Sequence, residues 1–331
     1  MNSFKTKTLL VTVICSLFFI GCSNDDDDDD LMGNWIKRSA FDGPARSSAA
    51  FFVIDTYAFI TTGYTGDDYL KDLWAYNSEG DYWEQKADFP GVGRSSASAF
   101  DLNDKGYVGL GYDGTNRLKD FYEYNPQTNT WSQKADFAGT ARYGAVGFQV
   151  GGKAYFGTGY DGNHLKDFYQ YNATTDTWTL ANGFSGNKRR NATVFIIDDK
   201  AYLGTGINSG VYQTDFWVFD PKTEVWTRKR NLDDDEDDHD DYTIARSNAS
   251  SFSMNGLGYI AVGENAKSIW EYNPSTDIWK ERTSLEGSGR TDAIGFSINQ
   301  RGFILLGKSG TSYFDDTWEF KPLEEQNDDD N

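Results

Sequence analysis

The feature that most constrains this chain is a repeat of about 48 residues, visible first in its tryptophans. All ten fall in two columns. One column is Trp35, Trp83, Trp131, Trp178, Trp226 and Trp279; the other is Trp74, Tyr122, Tyr169, Trp217, Trp270 and Trp318. Where a repeat has both, the second column precedes the first by nine residues. Eleven residues after the first column stands an arginine: Arg46, Arg94, Arg142, Arg189 and Arg290, with Arg246 delayed by nine. From each arginine the spacing is fixed: Ala three residues on, Phe six on, an aromatic thirteen on and Gly seventeen on.

Each unit reads as four short strands. In the first they lie around Ala49 to Val53, Tyr57 to Thr62, Trp74 to Tyr76 and Trp83 to Gln85. The high aromatic content (16%), 34 Gly and only six Pro suit short strands and tight turns. One such sheet cannot bury both faces alone, but six arranged radially bury one another's. The expected fold is therefore all-β, a six-bladed propeller. Trp318 has no Trp nine residues later and Trp35 has no third strand before it, so an N-terminal strand is expected to pair into the C-terminal blade. Such pairing closes the ring and removes two exposed edges.

At these positions the chain resembles kelch repeats, with Gly closing the second strand, an aromatic on the third and Trp on the fourth. The resemblance covers residues 33–322. The family's Gly doublet is here a single Gly after Thr, Leu or Val, as at Thr62-Gly63 and Leu110-Gly111.

The first segment reads as an export signal. Lys5 and Lys7 precede an apolar run from Leu9 to Ile20, too short for a membrane span, which ends in Phe19-Ile20-Gly21-Cys22. This is similar to a bacterial lipobox, with Phe19 where such boxes more often have Leu. It implies a signal peptide over residues 1–21, lipid on Cys22 and an acidic linker over 22–32. Ser23-Asn24 and six Asp follow the Cys, resembling acidic signals that send lipoproteins to the outer leaflet of the outer membrane. The expected location is the outer membrane, facing the cell surface, with a periplasm-facing arrangement as the alternative. Residues 323–331 form an acidic tail.

Charge excludes some functions. The formal net charge is −20, which argues against non-specific nucleic-acid binding. Of 51 acids, 19 lie in Asp25–Asp30, Asp233–Asp241 and Glu324–Asp330, so the ring itself is close to neutral. The block from Asp233 to Asp241 matches in length the nine extra residues between Trp226 and Arg246, and reads as an anionic flap on the mouth face. It lacks the alternation and central Gly of an EF-hand loop. Both cysteines, Cys15 and Cys22, lie in the first 22 residues, leaving the propeller no disulfide, thiol nucleophile or thiolate metal site. No cofactor, no metal site and a monomer are expected.

What recurs in all six blades serves what all six need. The arginine column and its recurring acids Asp72, Asp120, Asp167, Asp215 and Asp316 (Ser268 in the odd blade) are read as loop anchors, and the Trp columns as interblade packing. What varies is the candidate site. In kelch domains that bind ligands at the mouth, the positions just after the arginine and in the second-to-third loop make contacts. Carried onto this chain, the first set gives Tyr143, Arg190, Asn191, Asn248, Thr291 and Asp292 beside the serines 47, 95 and 247. The loops give Tyr69, Arg117, His164, Tyr212 and Tyr313. This mixture of aromatic, guanidinium and imidazole groups suits a binding surface for a glycan or protein. With Gly33 and Lys321 on the opposite face, the mouth is expected to point away from the membrane.

Catalysis finds less support: the histidines are only His164 and His239, and no serine carries a nucleophile motif. Galactose oxidase has a kelch-type propeller, but its copper site needs a Cys-crosslinked Tyr and His ligands that this chain lacks. Sialic-acid mutarotases are a closer analogue, with six kelch blades and no metal. That resemblance implies acid, base and anion-binding roles for Arg190, Arg117, Glu264 and Asp292. A scaffold in a cell-envelope complex is the third reading.

Overall fold

The computed structural model describes residues 31–233, 242–327 and 329. The signal peptide, Cys22, most of the acidic linker, the block 234–241 and residues 328, 330 and 331 of the tail lie outside the described residues.

Six four-stranded antiparallel sheets form the blades. Blade one runs outward from the axis through Ala50–Ile54, Tyr57–Thr61, Leu73–Asn77 and Tyr82–Lys86. The other inner strands are Ser98–Leu102, Val146–Val150, Thr193–Ile197, Ser250–Met254 and Ile294–Ile298. Inner strands contact one another in a closed cycle, the sixth returning to the first. The last blade takes its outer strand, Asn34–Arg38, from the other end of the chain, with Trp35 opposite Phe320 and Lys37 opposite Trp318.

Five of the six inner strands alternate buried and half-buried residues, because one face packs between blades and the other lines the axial channel; in the sixth, Gly295 is buried as well. The recurring Phe of the inner strand stacks on the aromatic across from it, as Phe52 on Phe59 at 5.1 Å and Phe195 on Tyr202 at 5.5 Å. The first Trp column is buried, Trp35 completely, except for the half-buried Trp131. A further column wedges in from the fourth-to-first loops. Phe41, Phe89, Phe137 and Phe184 stand edge-on to Trp74, Tyr122, Tyr169 and Trp217 at 4.9–5.8 Å. In blade five, Tyr242 takes this place against Trp270 at 5.7 Å. Leu232 and Tyr242, on either side of the block outside the described residues, are both buried.

The arginine column is interior. All six are at most 5% exposed. Arg46, Arg94, Arg142 and Arg290 each grip their aspartate with two nitrogens at 2.6–2.9 Å. Arg189 binds Asp215 likewise in charge but through one nitrogen. Every one also donates Nη1 to the carbonyl just before the repeating Gly: Thr62, Leu110, Thr158, Thr205, Val262 and Leu306, at 2.9–3.0 Å. Those six residues all have φ between 51° and 63°. Here the missing first Gly of the doublet has an answer: the backbone keeps the left-handed turn although the side chain is branched, at roughly 1–2 kcal/mol per residue, and the arginine holds it.

Two rings of backbone hydrogen bonds link blade to blade. Each repeating Gly donates to the next blade's arginine carbonyl at 2.7–2.9 Å, Gly307 completing the circle at Arg46. Nearer the mouth, Ser48, Ser96, Gly144, Asn191, Asn248 and Asp292 are joined in a second circle at 2.8–3.2 Å. All six have φ of 51–62°. At Gly144 a Cβ would lie 2.1 Å from the Asn191 carboxamide oxygen, so a side chain there would have to displace the end of Asn191.

Candidate functional site at the channel mouth

The second circle forms the throat of the mouth, a cavity of about 120 Å³ floored by the alanine column. Asn191, Asn248 and Asp292 thus lie together on one rim. Around it stand the side chains of the loops, and their pairing was not foreseen from the sequence. The residue immediately after each repeating Gly is Tyr64, Tyr112, Tyr160, Ile207, Glu264 or Lys308. It receives the second-to-third loop residue of the preceding blade: Tyr313 meets Tyr64 at 6.4 Å, Tyr69 meets Tyr112 at 6.3 Å, and the Arg117 guanidinium sits over Tyr160 at 5.3 Å. Tyr212, exposed on the short hairpin where it pairs with Ile207, interacts in the same sense with Glu264.

These contacts divide the lip into two arcs. One is aromatic and basic. Tyr313, Tyr64, Tyr69, Tyr112, Tyr143, Tyr160 and His164 form an unbroken chain of rings with centroids 4.7–6.4 Å apart. Arg190 lies in its bend, 4.9 Å over Tyr160 and 5.7 Å over Tyr143, and donates Nη1 to the Tyr143 hydroxyl at 3.2 Å. Its Nε is buried without a hydrogen-bond partner, as is Nε2 of His164. Burial, and then the charge of Arg190, hold the His164 imidazole below its usual range, so it is neutral at neutral pH.

The other arc is acidic. Glu264 accepts from Ser247 Oγ at 2.5 Å and from Asn248 Nδ2 at 3.2 Å. Burial pushes the Asp292 carboxyl up, and Glu264 adds to this against the opposing help of Ser48 and Lys308. Burial and Glu264 raise the Tyr212 phenol as well. Thr291, whose backbone bridges to Lys308, keeps a buried hydroxyl without a partner. The structure therefore brings all twelve sequence-predicted lip residues to one face, but in two chemically distinct sets. The sequence reading missed Tyr64, Tyr112, Tyr160 and Lys308. Their signal was available, since each directly follows the repeating Gly.

A kelch motif model matches residues 111–137, from the repeating Gly of blade two through its third and fourth strands. With the six closed sheets, that decides the architecture. The fold is a six-bladed kelch-type β-propeller. It is shared with the solved structure of YjhT at a TM-score of 0.70, with 17% identity over 85% of this chain and 95% of that one. A likeness at that identity speaks for the fold alone. No match was found among curated protein sequences. The kelch match falls on the repeated wall, and the lip that varies between blades lies mostly outside it.

Proposed function

We propose that this kelch propeller is a lipid-anchored, surface-exposed binding module that captures a glycan at its mouth. A kelch propeller supports a binding or scaffold role in general; the lip argues for the former. The observation that carries the reading is Arg190. It is a guanidinium caged by two tyrosines, with a buried donor left open and no carboxylate partner among the described residues. An unpaired buried donor costs about 1–3 kcal/mol, so a ligand oxygen at this point regains what the free protein forgoes. The neighbouring tyrosines offer ring faces and hydroxyls to a sugar, and the neutral His164 adds a second unpartnered nitrogen. Anchoring through Cys22 would turn this face outward.

Glycan-array binding by the wild type and by an Arg190→Ala/Tyr143→Ala variant tests the reading. Loss of binding by the variant, with unchanged melting, is expected; equal binding by both would refute the site. Capture of a protein partner by the same residues, with a blank array, would make the ligand a protein. A second reading rests on Asp292, whose carboxyl is raised by burial and, less, by the charge of Glu264, as suits a general acid. It makes the protein a sugar mutarotase-like enzyme and requires faster anomer interconversion of sialic acid by NMR. A scaffold role would instead show as envelope partners that stay bound in excess sugar.

A further inference from the structure

Below the throat the channel widens into a cavity of about 450 Å³, within the range of small-molecule sites, which is roughly 300–1,000 Å³. Seven residues beyond each arginine, the axis-facing positions are Val53, Asp101, Gln149, Ile196, Ser253 and Ser297. Five are uncharged. Of the described residues, Asp101 is the single ionisable one in the cavity wall. Among the described residues, its carboxylate has no donor beyond its own backbone amide. The neighbouring inner strands present Val53 and Gln149 at this level, and Gly106 stands across from it in its own sheet. Lys105 at the turn below is committed to Glu123, and Asp104 adds only like charge. Burial pushes the Asp101 carboxyl up to about 6, with Asp104 adding to the shift against its own amide.

An uncompensated carboxylate in a closed ring is unfavourable to the free protein, and six-fold repetition supplied an uncharged option five times over. We propose that the channel is a second binding site, for a small organic monocation of the alkylammonium class, with its charge on Asp101 and its alkyl body against Phe51, Val53, Val194 and Ile196. The wall decides between ligand classes. An anion would meet the carboxylate, and a neutral ligand would leave that charge uncompensated. A hard metal cation takes six to eight oxygens for calcium, or near-ideal octahedral geometry for magnesium. Among the described residues no group of three or more His, Cys, Asp or Glu could supply such a set. The apolar half of the wall has no use for a metal, but covers an alkyl chain. This site stands independently of the reading of the lip.

The test is calorimetric titration of n-butylammonium chloride into the detergent-solubilised full chain, with 1-butanol as the neutral isostere. One site per chain is expected at pH 8, weakening about tenfold at pH 5 as the carboxyl protonates. Asp101→Asn should abolish it while raising the melting temperature at pH 8 and leaving it unchanged at pH 4, which shows that the variant folds. Absence of butylammonium binding by the wild type, equal binding by Asp101→Asn, or indifference to pH would each overturn the proposal. Equal binding of 1-butanol would make the channel a site for neutral ligands and overturn it as well.

Discussion

Arg189 and Arg190 are adjacent in the chain and belong to different regions of the molecule. Arg189 is completely buried in the wall, bound to Asp215 and to the Thr205 carbonyl, and its counterparts repeat in every blade. Arg190 stands on the lip, stacked on tyrosines and lacking a partner at Nε, and no other blade has an arginine at its position. The carboxyls separate the same way. Despite burial, Asp215 and Asp316 are held below the usual range by Arg189 and Arg290, whereas burial prevails over the partners of Asp101 and Asp292 and raises them. At Asp215 and Asp316 in the wall an arginine stabilises the charged carboxylate; at Asp292 on the lip and Asp101 in the channel burial is not offset by a partner. Local order maintained at a cost, without a compensating partner, is what a binding surface retains for its ligand.

The comparison breaks most visibly if the wall is not structural. Arg94→Met strands Asp120 and leaves the Leu110 carbonyl in its left-handed turn without its donor. Removing one partner of a buried pair costs about 3–5 kcal/mol, and chemical denaturation should register a loss of that size. Arg246→Met should cost less. Arg246 donates to the carbonyls of Ile244, Val262 and Thr243 and has no aspartate to strand, because Ser268 stands in that column. Equal losses would show that the carbonyls, and not the ion pairs, carry the belt.

Sequence legibility follows the same division. The blades were readable because each must bury the same aromatics, so columns such as Phe52 and Phe100 repeat at fixed spacing. The left-handed turns at Leu110 and Val262 were not, because these side chains ordinarily argue against positive φ and only the tertiary arginine overrides that preference. On the lip, the candidate residues were found by their variation, but their pairing was hidden: Arg117 finds its aromatic, Tyr160, 43 residues later, in the next blade. Asp101 was passed over because an acid on a strand reads as solvent-facing until the ring closes around it.

Ring closure offers a smaller and pH-dependent test of the wall. Glu319, on the closing blade, accepts from Arg38 of the N-terminal strand at 2.7 Å, from Arg301 at 2.6 and 2.7 Å, and from Lys321. Although burial opposes it, these cations hold the Glu319 carboxyl at about 2. A folded-state value below the unfolded one means the contribution is present above about pH 4.5 and is lost as pH falls toward 2. Glu319→Gln should therefore lower stability at neutral pH by about 3 kcal/mol. The gap between variant and wild type should close on acidification. Asp292→Asn tests the opposite sign. Its carboxyl is raised, so replacement should stabilise the protein at neutral pH and be without effect below the unfolded value near pH 4.

The smallest expected change in stability is the one that sharpens the contrast furthest. Arg→Lys keeps the charge but removes the planar fork and the stacking surface. At Arg189 the guanidinium holds the Asp215 carboxylate and three backbone carbonyls, so Arg189→Lys should destabilise measurably. At Arg190 the scaffold uses the side chain for one hydrogen bond to Tyr143 and for stacking on Tyr143 and Tyr160, so Arg190→Lys should change stability by no more than about 1 kcal/mol. Glycan binding should reverse the order, surviving Arg189→Lys at temperatures where that variant is folded and failing in Arg190→Lys. If Arg190→Lys instead unfolds the protein and leaves residual binding intact, the lip arginine belongs to the wall, and the division between the two regions is drawn one residue too early.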